Sequence, residues 1–337
     1  MSYAVLAYNA SNVGDEIQSI AASRFLPQIN HHILREGIHK TEAKSKIILN
    51  AYWSGSPKNF PPSSTLIGLP ISMHLTEALR ANITSKSLDW LKANAPIGCR
   101  DRSTLEFLES KGIPCYFSCC LTLTLQRSEK LTKQDWILCV DVPEDVQQRI
   151  RQQTKRKLIS LTRITHQYMS PMQKMKLAKV FLQLYQQAHC VVSPNLHTVM
   201  PSLALETPVL NLDTGKRDVR FTGLLPMLRQ LEYTANGNID YDFDNPPENP
   251  ILYMAYRNLL IEKASAFTEY NSTQCQFDLD NSVVELAALF GRSKKKDIRA
   301  LTFYTPKELF KGFVKRFFTS KTDRYEYPID FSEKYNV

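Results

Sequence analysis

The chain has 337 residues, 43% of them hydrophobic and 22% charged, which is the composition of a folded globular protein. That length is more than one ordinary core holds and predicts two domains, while no apolar run reaches the ~20 residues of a membrane span. The net charge of +9 is concentrated: residues 292–324 hold eleven basic residues against three acids, so the rest of the chain is close to neutral. From the N-terminus, YAVLAY (3–8) reads as a buried strand and residues 15–25 as a helix. SKIILNAYW (45–53) and STLIGLPIS (64–72) read as further strands, and SKSLDWLKAN (85–94) as a helix. PIGCRD (96–101) is a short strand ending in charge. Residues 103–111 read as a helix, with Ser103 as N-cap, Glu106 three residues on and Gly112 as the stop. IPCYFS (113–118) reads as another strand, and the pair His31 and His32 as exposed loop.

QRSEKLTKQD (126–135) is polar and aperiodic and reads as a linker. The pattern then restarts. DWILCVDVP (135–143) is a strand, residues 144–155 a polar helix, and KLISLTRIT (157–165) a strand. SPMQKMKLAKVFLQLYQQA (170–188) is an amphipathic helix with Ser170 as N-cap and Pro171 at its first position. HCVVS (189–193) is a strand, followed by a helix from about residue 197 and the strand PVLNL (208–212). NGNIDYDFDNPPENP (236–250) is an acidic, proline-rich loop. The fold class is α/β: two doubly wound Rossmann-like domains facing each other across a cleft, GT-B-like in arrangement, over residues 1–127 and 135–291. In such sheets ligands sit off the carboxyl ends of the strands.

The basic tail, residues 292–337, contains TPKELFKGFVKRFF (305–318). Thr305, Pro306 and Glu308 form a helix start. Leu309, Phe310, Phe313, Val314, Phe317 and Phe318 share one broad face, ringed by Lys307, Lys311, Lys315 and Arg316. Such a helix either packs on the body or lies in an anionic membrane interface. A neutral body without basic strands interleaved with aromatics argues against nucleic acid. The seven cysteines are odd in number and mostly flanked by apolar residues, so no disulfide frame is expected. No CxxC or HExxH spacing occurs, and no metal site is expected. The segment MSYAVLAYNAS lacks the pattern of a secretory leader, so a cytoplasmic protein is expected, peripheral to the inner face of the membrane if the tail binds lipid.

Chemistry-bearing residues gather at strand ends. NVGDE (12–16) follows the first strand, Arg100 and Asp101 end another, and His197 follows HCVVS. Asp15 and Glu16 read equally as acids in the first turn of a capped helix. Arg100 beside Asp101 reads equally as an internal ion pair, and His74 in PISMHLTEA as a core histidine.

Four stretches in order resemble the polysaccharide pyruvyltransferase family: NVGDEIQSIAA; LNAYW with SPKNFPPSS and ISMHLT; IGCRDRSTLEFLESKGIPCYFSCCLTLTL; and AHCVVSPNLHTVMPSLALETPVLNL. The likeness covers residues 1–125 and roughly 160–212. The departures are Asn195 in place of the family's arginine, Ser118-Cys119-Cys120 for Ser-Gly-Cys, and Asn50-Ala51-Tyr52 for Asn-Gly-Trp. The resemblance implies transfer of pyruvate from phosphoenolpyruvate to a sugar of a polysaccharide or its lipid-linked precursor, as a ketal, without a metal or resident cofactor. It implies His197, Asp15 and Glu16 as catalytic groups, and Arg100 and Asn195 on the donor, with Arg163 or His166 supplying the cation that Asn195 lacks. It implies Asn12, Gly14, His74, Asp101 and Glu206 on the acceptor. Residues 1–127 would form the acceptor side and 135–291 the donor side. The rival readings are a GT-B glycosyltransferase using a nucleotide sugar and a catalytically silent binding protein of the same fold.

Overall fold

A computed structural model describes residues 1–50, 52–53, 59–164, 170–213, 218–232 and 239–278. In chain order the elements are β1 (Tyr3–Ala7), α1 (Val13–Ser23), β2 (His31–Leu34), β3 (Ser45–Ile48), β4 (Tyr52–Trp53), β5 (Leu66–Leu69), β6 (His74–Leu75), α2 (Glu77–Ala81), α3 (Ser85–Ala93), β7 (Ile97–Cys99), α4 (Arg102–Ser110), β8 (Cys115–Phe117), β9 (Trp136–Val140), α5 (Glu144–Gln153), β10 (Lys157–Leu161), α6 (Pro171–Gln187), β11 (Cys190–Ser193), α7 (Leu196–Ala204), β12 (Val209–Asp213), β13 (Arg229–Glu232) and α8 (Tyr253–Thr268). The α/β alternation read from the sequence is present.

The two main sheets are wholly parallel. The first has the order β2-β1-β3-β5 and the second β10-β9-β11-β12-β13. Each has one switch point, where the chain has gone to one side of its opening strand and returns to the other. These points are β1/β3 and β9/β11, and the crevice outside the carboxyl ends of such strands is the ligand position of Rossmann-like sheets. Two short parallel ribbons, β4–β6 and β7–β8, complete the first half.

Buried strands with apolar residues on both faces explain the continuous apolar runs of the sequence. Val5 of β1 points into one cluster, while Ala4 and Leu6 point into another. Leu138 and Val140 of β9 join the first cluster, and Ile137 and Cys139 a third. The first cluster is therefore common to both sheets. Its centre is α1, whose Val13, Ile17 and Ile20 share it with Leu177 and Phe181 of α6 and Leu196 of α7. All seven cysteines are free. Among the described residues no helix is long and apolar enough to cross a membrane.

Three local expectations differ from the structure. His31 and His32 are not exposed loop: they open β2 (His31–Leu34), an edge strand paired in parallel with β1, and the two histidines hid its short pattern. Residues 45–53 hold two strands: β3 stays in the first sheet, and β4 pairs with β6 in a separate ribbon. The N-cap of α4 is Asp101 rather than Ser103; its carboxylate accepts from the Thr104 N–H at 2.9 Å. Strand β13 and helix α8 carry no strong periodic signal and were not legible in advance. The amphipathic segment 305–318 and the tail lie outside the described residues.

Candidate active site

The turn after β1 fixes the first part of the site. Asn12 caps α1, its Oδ1 accepting from the Gly14 N–H at 2.9 Å. The Val13 N–H donates to the Arg163 carbonyl at 3.0 Å, and Asn12 forms an antiparallel bridge with Ile164. The mouth of the first sheet is thus stitched to the chain leaving β10 of the second. Gly14 packs against His197: a Cβ there would stand 2.8 Å from both Cβ and Nδ1 of the histidine. No residue but glycine fits that approach unless His197 moves.

His197 lies in the first turn of α7 and is 4% exposed. Burial holds its imidazole well below the ordinary pKa, reinforced by Arg100, Arg220, Arg163 and His74, so the ring is neutral. Arg100 follows β7 and is fully buried. Its Nη1 donates to Gln18 Oε1 at 3.2 Å and stands 3.5 Å from His197 Nε2. A guanidinium can only donate, so a neutral ring facing it carries its proton on Nδ1. Among the described residues, Nε and Nη2 of Arg100 and Nε2 of Gln18 have no hydrogen-bond partner. Open donors on a buried cation are costly in a protein interior and complement an anion.

Arg100 does not take Asp101 as its partner. Asp101 is fully buried and its Oδ2 lies 2.6 Å from His74 Nδ1. Burial lowers the His74 pKa, against the pull of the Asp101 hydrogen bond. The arrangement is an acid–imidazole dyad in which the carboxylate orients the ring.

At the switch point of the second sheet, Asp141 follows β9 and Asn195 follows β11. Asn195 Nδ2 donates to Asp141 Oδ2 at 2.8 Å, and Arg163 Nε stands 3.1 Å from the same oxygen. Asp141 adopts φ +53°, a left-handed conformation unusual for a residue with a side chain. Asn195 is therefore joined through one carboxylate to the cation of Arg163. His166 lies outside the described residues.

Asp15 is 6% exposed; burial raises its pKa, opposed by Arg35, Arg100 and Arg163. Glu16 is turned elsewhere. Its Oε1 pairs with Lys174 Nζ of α6 at 3.1 Å, and burial pushes its carboxyl up to about 8 against that pull. Glu206 sits past the far end of α7, exposed, accepting from Arg127 Nη1 at 3.1 Å; the structure does not bring it to the cluster.

Two cations near the site were not singled out in the sequence. Arg35 follows β2, stacks 5.2 Å over the Tyr8 ring and acts on Asp15. The expectation of loop at His31 and His32 concealed its place at a strand's carboxyl end. Arg220, in a 3-10 turn (Val219–Phe221) paired with Asp218, acts on His197, His74 and Arg100. The N-terminus of α4 holds that turn: the Arg102 N–H donates to the Thr222 carbonyl.

This set of residues at two switch points coincides with a sequence profile of the polysaccharide pyruvyl transferases, which matches residues 12–216. The chain belongs to the polysaccharide pyruvyl transferase family. Gly14, Arg100 and His197 all fall within the matched segment, as does the β9/β11 switch point of this family member; β1 of the first precedes it. No curated protein matches the chain significantly. Among solved structures, a functionally uncharacterized protein of Klebsiella pneumoniae is 13% identical over 69% of this chain and 93% of that one, with a TM-score of 0.40.

Proposed function

We propose that the protein transfers the pyruvyl group of phosphoenolpyruvate to a sugar of a polysaccharide or its lipid-linked precursor, forming a ketal across two hydroxyls. The observation that carries the reading is Arg100. It is a fully buried guanidinium with open donors, set beside a neutral histidine at the meeting of two switch points. The donor's phosphate and carboxylate are the anions that such a place suits, and Arg220 and Arg163, the latter held by Asp141, are further cations acting on His197.

In the net reaction, carbon 3 of the enol gains a proton and becomes the methyl group. Carbon 2 gains two bonds to sugar oxygens and loses its bond to the phosphate oxygen. One hydroxyl proton balances the proton added at carbon 3, and the other leaves with inorganic phosphate. Burial raises the Asp15 pKa against the pull of Arg35, Arg100 and Arg163, which suits it to give a proton. His74 is kept neutral, which suits it to accept one; His197, its Nε2 facing Arg100 and its proton on Nδ1, is suited to donate a hydrogen bond. Asp101 would orient His74 toward the acceptor. In this reading residues 1–127 and 135–291 act as acceptor-side and donor-side domains of a GT-B-like pair. The sequence of 305–318 supports a peripheral contact with anionic lipid.

The test is direct. Purified protein is offered labelled phosphoenolpyruvate or UDP-sugars with bacterial glycan-lipid fractions. Transfer from phosphoenolpyruvate is expected; label entering only from the nucleotide sugar overturns the reading. Loss of liposome binding on removal of residues 303–337 tests the tail separately.

A further inference from the structure

Lys174 is a buried charge that the proposed chemistry does not use. It lies in the first turns of α6 and is 3% exposed. Its Nζ donates to the Tyr8 carbonyl, donates to the Ala10 carbonyl at 2.9 Å and stands 3.1 Å from Glu16 Oε1. The two carbonyls take two of the three ammonium protons, while Glu16 is an ion-pair partner: among the described residues neither of its carboxylate oxygens has a hydrogen-bond partner. The positions of the three partners in the chain are informative. Tyr8 directly follows β1, Ala10 lies in the middle of the turn, and Glu16 sits in the first turn of α1. One side chain from the second half thereby grips the β1–α1 turn at its entry, middle and exit.

The gripping side chain is itself anchored. The start of α6 is fixed by a reciprocal cap: the Gln173 N–H donates to Ser170 Oγ at 3.2 Å, and the Ser170 N–H donates to Gln173 Oε1 at 2.8 Å. Leu177 and Phe181 of the same helix share the core with Ile17 and Ile20 of α1. What hangs on the turn is Asn12, Gly14 and Asp15, with Gly14 touching His197. A displacement of about 1 Å at such a point can cost about a hundredfold in rate.

We propose that Lys174 is a positioning residue that holds the β1–α1 turn against His197 through the two backbone carbonyls, with Glu16 as its charge partner and not as a catalytic acid. The link from this turn to catalysis rests on the pyruvyl-transfer reading; the grip on the turn does not. Glu16→Leu combined with Lys174→Met replaces the pair by apolar groups of similar size, which leaves no buried charge unpaired. Glu16→Gln keeps an acceptor for Nζ and leaves both carbonyl bonds in place. Amide hydrogen exchange is measured on all proteins, together with melting temperature and phosphoenolpyruvate titration by calorimetry.

In the double variant the Val13 and Gly14 amides are expected to exchange at least about tenfold faster while the melting temperature stays near that of the parent. In Glu16→Gln their exchange is expected to stay within about twofold. Unchanged exchange in a folded double variant overturns the proposal and leaves Lys174 as a neutraliser of Glu16. Faster exchange in Glu16→Gln also overturns it, by placing the grip in the ion pair. Failure of the parent protein to bind phosphoenolpyruvate would count against the pyruvyl-transfer reading and leave the exchange result standing.

Discussion

Gly14 and His197 are in such close contact that a single methyl group on the glycine would stand 2.8 Å from the imidazole Nδ1. The two residues come from turns that follow the opening strand of one sheet and the third strand of the other. Gly14→Ala is therefore expected to destabilise the fold by about 1–3 kcal/mol through overpacking, read from urea denaturation. It is also expected to displace the imidazole and lower pyruvyl transfer. A variant with parental stability and turnover would mean that the contact is looser than it stands here.

Arg100 separates stability from function. Its buried guanidinium has few partners, so Arg100→Met removes an expensive charge at little steric cost. The melting temperature is expected to hold or rise. Binding of phosphoenolpyruvate is expected to weaken by about a hundredfold or more, the worth of two charge-assisted hydrogen bonds. A fall in both would make Arg100 a structural residue.

Asp101 has two tasks, one for each oxygen: Oδ1 caps α4 and Oδ2 holds His74 Nδ1. Asp101→Asn retains a capping oxygen but sets a neutral amide against the imidazole. The fold is expected to survive, with transfer reduced about 10²–10⁴-fold if the dyad moves a proton. Parental turnover would leave His74 a buried structural histidine.

His197 makes a pH signature. The folded chain holds it neutral, while the unfolded chain takes up a proton there below about pH 6.5. Extra protons on the unfolded state mean that stability falls as the pH drops below that value. Between pH 7.5 and 5.5 the parent is expected to lose about 1 kcal/mol more than His197→Gln does. Equal losses in the two proteins would show that the ring is not held neutral.

Much of this was legible in the sequence because parallel strands buried on both faces leave long apolar runs. YAVLAY and DWILCVDVP needed little more than that to be placed. Ser170 and Pro171 announced α6 because capping chemistry is local. Edge strands gave no such signal: HHIL at 31–34 pairs on one side only, and Arg35 was lost with it. The site divided in the same way. Asn12, Gly14, Arg100 and His197 were legible from their positions at strand ends. The partners were not, since pairing depends on three-dimensional contact. Asp101 beside Arg100 suggested an ion pair, yet the carboxylate turns to His74, 27 residues away. Glu16 beside Asp15 suggested a shared task, yet one helical step carries it to Lys174. Cys119, where the resemblance has glycine, nevertheless adopts φ +65°.

Ten of the eleven residues of α1 are buried, and its apolar side chains are shared with α6 and α7. Swinging the sheets apart about a hinge would strip Val13, Ile17 and Ile20 from Leu177 and Phe181. At about 1.5–3 kcal/mol for each large side chain, that exposure would consume most of the 5–15 kcal/mol by which a typical domain is stable. The helix acts as a rivet. The contact of Gly14 with His197 is thereby held by the shared core and not by the mouth of the sheets alone.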